Sequence, residues 1–180
     1  MKILKVILVV VVILVAIPLL LAIFVERDYS VEREVTIERP VEEVFDYIKF
    51  LKNQNNYSKW SGMDPEMKTS FSGTDGQPGF VSAWESDDPE VGRGEQEILS
   101  VTENERVDYE LRFEEPFAST SQSWMTTSPI DGNSTRVTWG FSGHMPYPTN
   151  IFLLVLDLEE MLGEDFQIGL ANLKAILEQQ

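Results

Sequence analysis

His144 is the only imidazole in the 180-residue chain, and cysteine is absent. Disulfide scaffolds, thiol nucleophiles, Cys-based zinc sites and all-His metal sites are therefore excluded, and a catalytic triad would have to be built on His144. That residue precedes Met145-Pro146-Tyr147-Pro148, a loop expected at the mouth of a cavity, where an imidazole reaches a bound ligand as general acid or base. A lone loop histidine is more commonly a solvated surface group, so no catalytic residue is assigned and His144 stands as the one candidate. Asp87-Asp88 and Glu95/Glu97 are carboxylate pairs suited to acid–base work or cation binding. In a chain with 30 acidic residues, such pairs arise by chance and more often form a solvated face. Ser119, Thr120, Ser121 and Ser123 make a hydroxyl-rich strand without a second histidine nearby, which disfavours a serine nucleophile. No metal or cofactor is expected.

Non-covalent chemistry has more material. Four tryptophans and ten phenylalanines are many for this length. Phe80, Trp84, Tyr109, Phe113, Met125, Trp139 and Phe141 fall on or near inward strand faces. With Trp60, Leu111, Tyr147 and Phe166 they form the candidate ligand cavity, because aromatic walls with a few hydroxyls are the material of small-molecule pockets. Any one of them read alone is core. Nucleic acid is excluded as a partner: 14 basic residues against 30 acidic give a net charge of −16, the reverse of a phosphate-binding surface.

The elements that must position these residues are legible from periodicity. Tyr29, Val31, Arg33, Val35 and Ile37 alternate with polar residues, a half-buried strand. Arg39-Pro40 ends it and opens a helix whose Val41, Val44, Phe45 and Ile48 form one buried stripe. Asn53–Ser58 is polar and weakly helical. From Lys68 the pattern has period two, and breaks at 74–79, 87–92, 104–105, 114–116 and 131–133 separate six strands of an antiparallel meander. Val107, Tyr109, Leu111 and Phe113 face inward, with Asp108, Glu110 and Arg112 outward. A Thr149 or Asn150 cap opens a long terminal helix to about Leu177. The expected fold class is α+β: a curved seven-stranded antiparallel sheet around that helix, with two short helices after the first strand. One helix does not fill a seven-stranded concavity, so space is left between them. Within the terminal helix, Gly163 and Gly169 imply a kink or a close helix-to-sheet approach. Ile151–Leu156 is apolar all round, which fits burial on both sides first, contact with a bilayer second, or a dimer contact.

The run Glu38-Arg39-Pro40-Val41-Glu42-Glu43-Val44-Phe45-Asp46-Tyr47-Ile48 resembles the opening strand-to-helix passage of the START-like SRPBCC superfamily, polyketide cyclase/dehydrase and lipid transport type. The likeness continues through Trp60, Gly92-Arg93-Gly94, Thr135-Arg136-Val137-Thr138-Trp139 and Gly169-Leu170-Ala171-Asn172-Leu173-Lys174, covering residues 29–180. The resemblance implies a helix-grip fold with a hydrophobic cavity between sheet and terminal helix. It implies no particular reaction, since the superfamily hosts binders, transporters, cyclases and regulators.

Ahead of this domain, Val6 to Val25 is a run of 20 apolar residues broken only by Pro18, long enough to cross a hydrocarbon core of about 30 Å. Lys2 and Lys5 precede it and Glu26-Arg27-Asp28 follow. The run is longer than a signal-peptide core and ends without a small-x-small site, so an uncleaved single-pass anchor is expected. Residues 1–25 are then a transmembrane signal anchor and 26–180 the START-like domain, held on the extracytoplasmic side of the cytoplasmic membrane by the positive-inside rule. Past the anchor the chain carries 12 basic and 30 acidic residues, net −18, which should repel anionic headgroups and hold the domain off the bilayer. The expected partners are the membrane, through residues 6–25, and a hydrophobic small molecule or lipid in the cavity. The expected function is non-enzymatic binding of that molecule. The alternatives are a cyclase, dehydratase or hydrolase acting in the same cavity, or an acidic protein-interaction module.

Overall fold

Each polar break after Lys68 is a turn of one antiparallel sheet in the computed structural model, which describes residues 2–179. The strands are β1 (Asp28–Ile37), β2 (Lys68–Ser72), β3 (Val81–Glu85), β4 (Arg93–Thr102), β5 (Arg106–Glu115), β6 (Ser119–Asp131) and β7 (Ser134–His144). They lie in the order β1-β7-β6-β5-β4-β3-β2. Chain neighbours from β2 to β7 are joined by hairpins, and β1 closes the other edge by pairing with β7, from Asp28 opposite His144 to Ile37 opposite Thr135. Period two fixes the faces: Val31, Ile98, Val107, Tyr109, Met125, Val137 and Trp139 are buried on the concave side.

Three α-helices complete the fold among the described residues. α1 (Lys2–Ala22) is 21 residues long, with a most apolar window of mean hydropathy 3.2, and is long and apolar enough to cross a membrane. α2 (Val41–Ile48) follows Pro40, carries Glu42 and Glu43 in its first turn, where the helix dipole favours acids, and buries Val44, Phe45 and Ile48. Two short 3-10 segments, Leu51–Asn56 and Trp60–Gly62, lead into β2. α3 (Leu158–Glu178) lies in the grip of the sheet, burying Phe166, Leu170, Leu173 and Leu177. Arg39 locks its far end: the guanidinium donates to the carbonyl of Leu177 at 2.8 Å, satisfying one of the unpaired carbonyls at the helix C-terminus.

The terminal helix starts later than its apolar run suggests. Thr149–Leu154 forms a 3-10 segment, the chain breaks at Val155–Asp157, and the Asp157 carboxylate caps α3 by accepting from the Glu160 amide at 3.0 Å. Asn150 is not a cap. It is fully buried, and its Nδ2 donates to the carbonyls of Ala22 at 2.7 Å and Val25 at 2.9 Å. The burial expected for Ile151–Leu156 is corrected too, because Phe152, Leu154, Val155 and Leu156 are exposed. A 3-10 segment anchored through Asn150 turns these side chains outward, where a continuous helix would have laid one stripe on the sheet.

Candidate functional site

A cavity of about 230 Å³ lies between the sheet and α3. Trp139 and Phe141 reach it from β7, Leu111 and Phe113 from β5, Trp84 from β3, Trp60 from its 3-10 segment, and Leu162 and Phe166 from α3. Trp139 stacks on Phe166 with ring centroids 4.9 Å apart, and the Trp60 ring stands edge-on to both, at 6.3 Å from Trp139 and 5.8 Å from Phe166. Across the space, Trp84 meets Phe113 edge-on at 5.8 Å. Edge-to-face and offset contacts at these separations are favourable beyond the area they bury, so the two aromatic groups form stiff walls.

Nine of the twenty lining residues are polar, with Gln54, Asn55, Ser58 and Ser61 grouped on and between the two 3-10 segments. Ser123 is satisfied, its Oγ donating to the Gly140 carbonyl at 2.8 Å. Gln96 is the exception: it lines the cavity at 8% exposure, and its Nε2 has no hydrogen-bond partner. A buried amide donor left unpaired costs about 1–3 kcal/mol; Nε2 itself is covered, so a ligand carbonyl or hydroxyl oxygen would recover part of that cost once the side chain turned into the cavity.

The rim is tied together by short polar links. Lys59, next to Trp60, pairs with Asp165 on α3. Ser86 Oγ donates to Asp64 at 2.5 Å, and the Glu66 amide donates to the same carboxylate at 2.8 Å. These bonds, the Ser86 hydroxyl first, hold the Asp64 carboxyl below its ordinary pKa. Trp84 Nε1 donates to the Val91 carbonyl at 3.2 Å, fixing the β3–β4 loop against the wall.

Seven of the eleven cavity candidates named from the pattern line this space: Trp60, Trp84, Leu111, Phe113, Trp139, Phe141 and Phe166. Phe80, Tyr109 and Met125 do not. They belong to the packed half of the concave face, beside α2 and Tyr57; Tyr57 Oη donates to Met125 Sδ at 3.2 Å. Burial pushes the Tyr57 and Tyr109 phenols well above their ordinary pKa. Tyr147 is exposed in the loop after β7 and touches no part of the cavity. His144 lies outside it as well. Its Nδ1 is 2.6 Å from Asp28 Oδ1, and it borders a separate open groove with Ser30, Glu110, Gln122 and Ser142, residues of the outer sheet face. Residues at the end of β7 alternate across the sheet, and His144 falls on the parity opposite to Trp139 and Phe141.

The carboxylate pairs are also placed. Glu95 and Glu97, joined by Glu110, accept from Arg112 at 2.6, 2.8 and 2.5 Å, and those bonds, Glu95 first, raise the guanidinium pKa further. Asp88 accepts from the Glu90 amide at 2.9 Å and shapes a turn. Among the described residues there is no group of three His, Cys, Asp or Glu side chains placed to hold a metal ion.

The pattern reading missed Leu51, Met67, Val91 and Leu162 among the apolar lining residues, and the polar ones as a group: Gln54, Asn55, Ser58, Ser61, Thr69, Ser82, Glu90, Gln96 and Ser123. For Gln96 a signal was present, since Glu95 and Glu97 facing out place Gln96 inward, and an amide at an inward strand position marks a site. Gly169 is explained by close approach: a Cβ there would stand 2.8 Å from the Trp139 ring. Gly163 admits the Arg33 guanidinium, which donates to the Glu159 carbonyl at 3.1 Å.

Comparison with solved structures supports the same architecture. The crystal structure of Ara h 8.0201 is 13% identical and superposes with a TM-score of 0.58, covering 85% of this chain and 99% of that one. An uncharacterised protein from Rhizobium leguminosarum is 18% identical with a TM-score of 0.56, covering 85% and 96%. The protein XoxI from Bacillus cereus is 14% identical with a TM-score of 0.59, covering 82% and 94%. At these identities the likeness shows the fold, α+β of the helix-grip type. No curated protein sequence matches the chain. The family model for polyketide cyclase / dehydrase and lipid transport matches residues 28–178, from the first residue of β1 to the last of α3, and the chain belongs to that family.

Proposed function

We propose that this protein is a membrane-anchored binder of a hydrophobic small molecule or lipid, with residues 6–25 crossing the cytoplasmic membrane and the domain of residues 26–180 on its extracytoplasmic side. The observation that carries the reading is the cavity walled by Trp60, Trp139, Phe166, Trp84 and Phe113, with one unpaired amide at Gln96. Binding proceeds by desolvation of the ligand, worth about 25 cal/mol per Å² of apolar surface removed from water. The Gln96 amide, turned into the cavity, then orients it by donating to an acceptor atom. The cavity volume, about 230 Å³, is below the roughly 300–1,000 Å³ of pockets that hold drug-sized ligands. It suits a small amphiphile or part of an acyl chain, and a larger ligand requires the Lys59–Asp165 rim contact to open. The family's description, which includes lipid transport, and the long apolar α1 support the same reading.

The test is native mass spectrometry of the full chain released from nanodiscs, alongside Leu111→Trp, which fills the cavity without touching α1. One hydrophobic species bound at equal molarity to the parent and lost from the variant is the expected result. Equal retention by both assigns the molecule to annular lipid, and an empty parent removes support for a resident ligand.

A further inference from the structure

Resting on the anchor reading above, we propose that Phe152, Leu154, Val155 and Leu156 are seated in the interfacial layer of the bilayer that α1 crosses, clamping the domain with the cavity-bearing half of its sheet towards lipid.

The argument starts at the end of α1. The last carbonyls of a helix lack partners within it, and in this chain two carbonyls at and just past that end, of Ala22 and Val25, accept from the fully buried Asn150 side chain. The Met145 amide donates to the Arg27 carbonyl at 2.8 Å, and β1 begins at Asp28. No free tether separates helix from domain. The segment Thr149–Leu154 is bonded at the depth where α1 leaves the hydrocarbon, so what it exposes faces that layer. It exposes Phe152 at 52%, Leu154 at 61%, Val155 at 76% and Leu156 at 43%, beside Phe24 at 86% on the helix end. An apolar patch of this kind facing water would be a liability. Continuous with a lipid-facing helix, it is an interfacial foot of the type that buries its side chains at the headgroup–acyl boundary. The acidic residues that follow, Asp157, Glu159 and Glu160, stop it from sinking deeper. The net charge of −18 past the anchor was expected to hold the domain off the membrane. A rigid join to α1 overrides that repulsion, because the two surfaces are never free to separate.

The antiparallel register places the start of β1, the end of β7, the start of β6, the end of β5, the start of β4 and the end of β3 at this same end of the sheet. Phe113, Trp84 and Phe141 lie near those strand ends, and Leu162 lies in the first turns of α3. The cavity therefore occupies the membrane-proximal half, and the packed half with Tyr109 and Met125 points away. A ligand drawn from the bilayer enters without crossing bulk water, which assigns it to the class of bilayer-resident amphiphiles.

The chain has no cysteine, so single-cysteine variants of the full protein label cleanly. Leu14→Cys, Leu154→Cys, Val155→Cys and Asn133→Cys are each coupled to an environment-sensitive fluorophore and reconstituted in phosphatidylcholine vesicles with or without spin-labelled lipid. Asn133 is in the β6–β7 turn, one full strand length of about 33 Å from the foot. The expected result is loss of at least half of the emission at positions 14, 154 and 155 and none at 133. Quenching at 14 without quenching at 154 and 155 overturns the foot and leaves the anchor intact. No quenching at 14 overturns the anchor reading and the foot with it. Labels at 154 and 155 that are shielded from aqueous iodide yet untouched by spin-labelled lipid assign the patch to a second copy of the chain and overturn the proposal.

Discussion

Replacing Gln96 by leucine separates stability from recognition. The side chain is 8% exposed, lines the cavity and leaves Nε2 without a partner. A buried, unsatisfied donor costs the folded state about 1–3 kcal/mol, whereas an apolar group of similar shape at the same place costs nothing in hydrogen bonding. Gln96→Leu should therefore stabilise the ligand-free protein by about 1–3 kcal/mol, and at roughly 2–4 °C per kcal/mol for a domain of this size the melting temperature rises by about 2–12 °C. The same substitution removes the donor offered to the ligand. A neutral hydrogen bond contributes about 0.5–1.5 kcal/mol net, so affinity for the co-purified molecule should fall about 2- to 12-fold. Thermal unfolding of delipidated protein followed by circular dichroism gives the first quantity, and tryptophan quenching by the ligand gives the second. A lowered melting temperature refutes the reasoning, since it means the amide is already bonded in the ligand-free state. A raised melting temperature with unchanged affinity leaves Gln96 a cost of folding with no role in recognition.

Three further outcomes follow from the geometry. Gly169→Ala gains about 1 kcal/mol of helix propensity but drives a Cβ to 2.8 Å from the buried Trp139 ring. Overpacking at about 1–3 kcal/mol should leave the variant about 1 kcal/mol less stable in urea titration, with weaker ligand binding; Gly163→Ala displaces only the Arg33 guanidinium and should change affinity less. Asp165→Asn removes the Lys59 contact across the rim and, as a partly exposed pair worth less than about 1 kcal/mol, should speed ligand exchange in stopped-flow fluorescence while barely shifting the urea midpoint. Tyr57 and Tyr109 have phenol pKa values raised by burial, so their contribution to stability is complete below the unfolded value of about 10 and is lost as pH rises above it. Tyrosinate absorbance near these two groups should therefore appear together with loss of near-ultraviolet dichroism, and tyrosinate forming in the intact fold would contradict the burial argument.

Much of this protein is written in local pattern. Alternation placed Tyr109 and Phe113 on one strand face and Glu110 and Arg112 on the other, and Gly, Pro, Asn and Asp clusters marked the turns. Both are consequences of nearest-neighbour backbone geometry, which short stretches of chain carry without help. The Ile151–Leu156 run shows where such patterns fail. Its composition fits a helix, yet its conformation depends on Asn150 finding the carbonyls of Ala22 and Val25, more than a hundred residues earlier. His144 shows the same limit, since its distance from the cavity follows from a parity that the strand end alone leaves ambiguous. Phe80, Tyr109 and Met125 could not be told from Leu111, Phe113 and Trp139 by type or spacing, since all six are inward and apolar. Their division between packed core and open cavity depends on where α2, Tyr57 and α3 come to rest against the sheet. Whether an inward side chain meets another atom or empty space is a property of volumes contributed from distant parts of the chain, and periodicity records direction without recording what fills it.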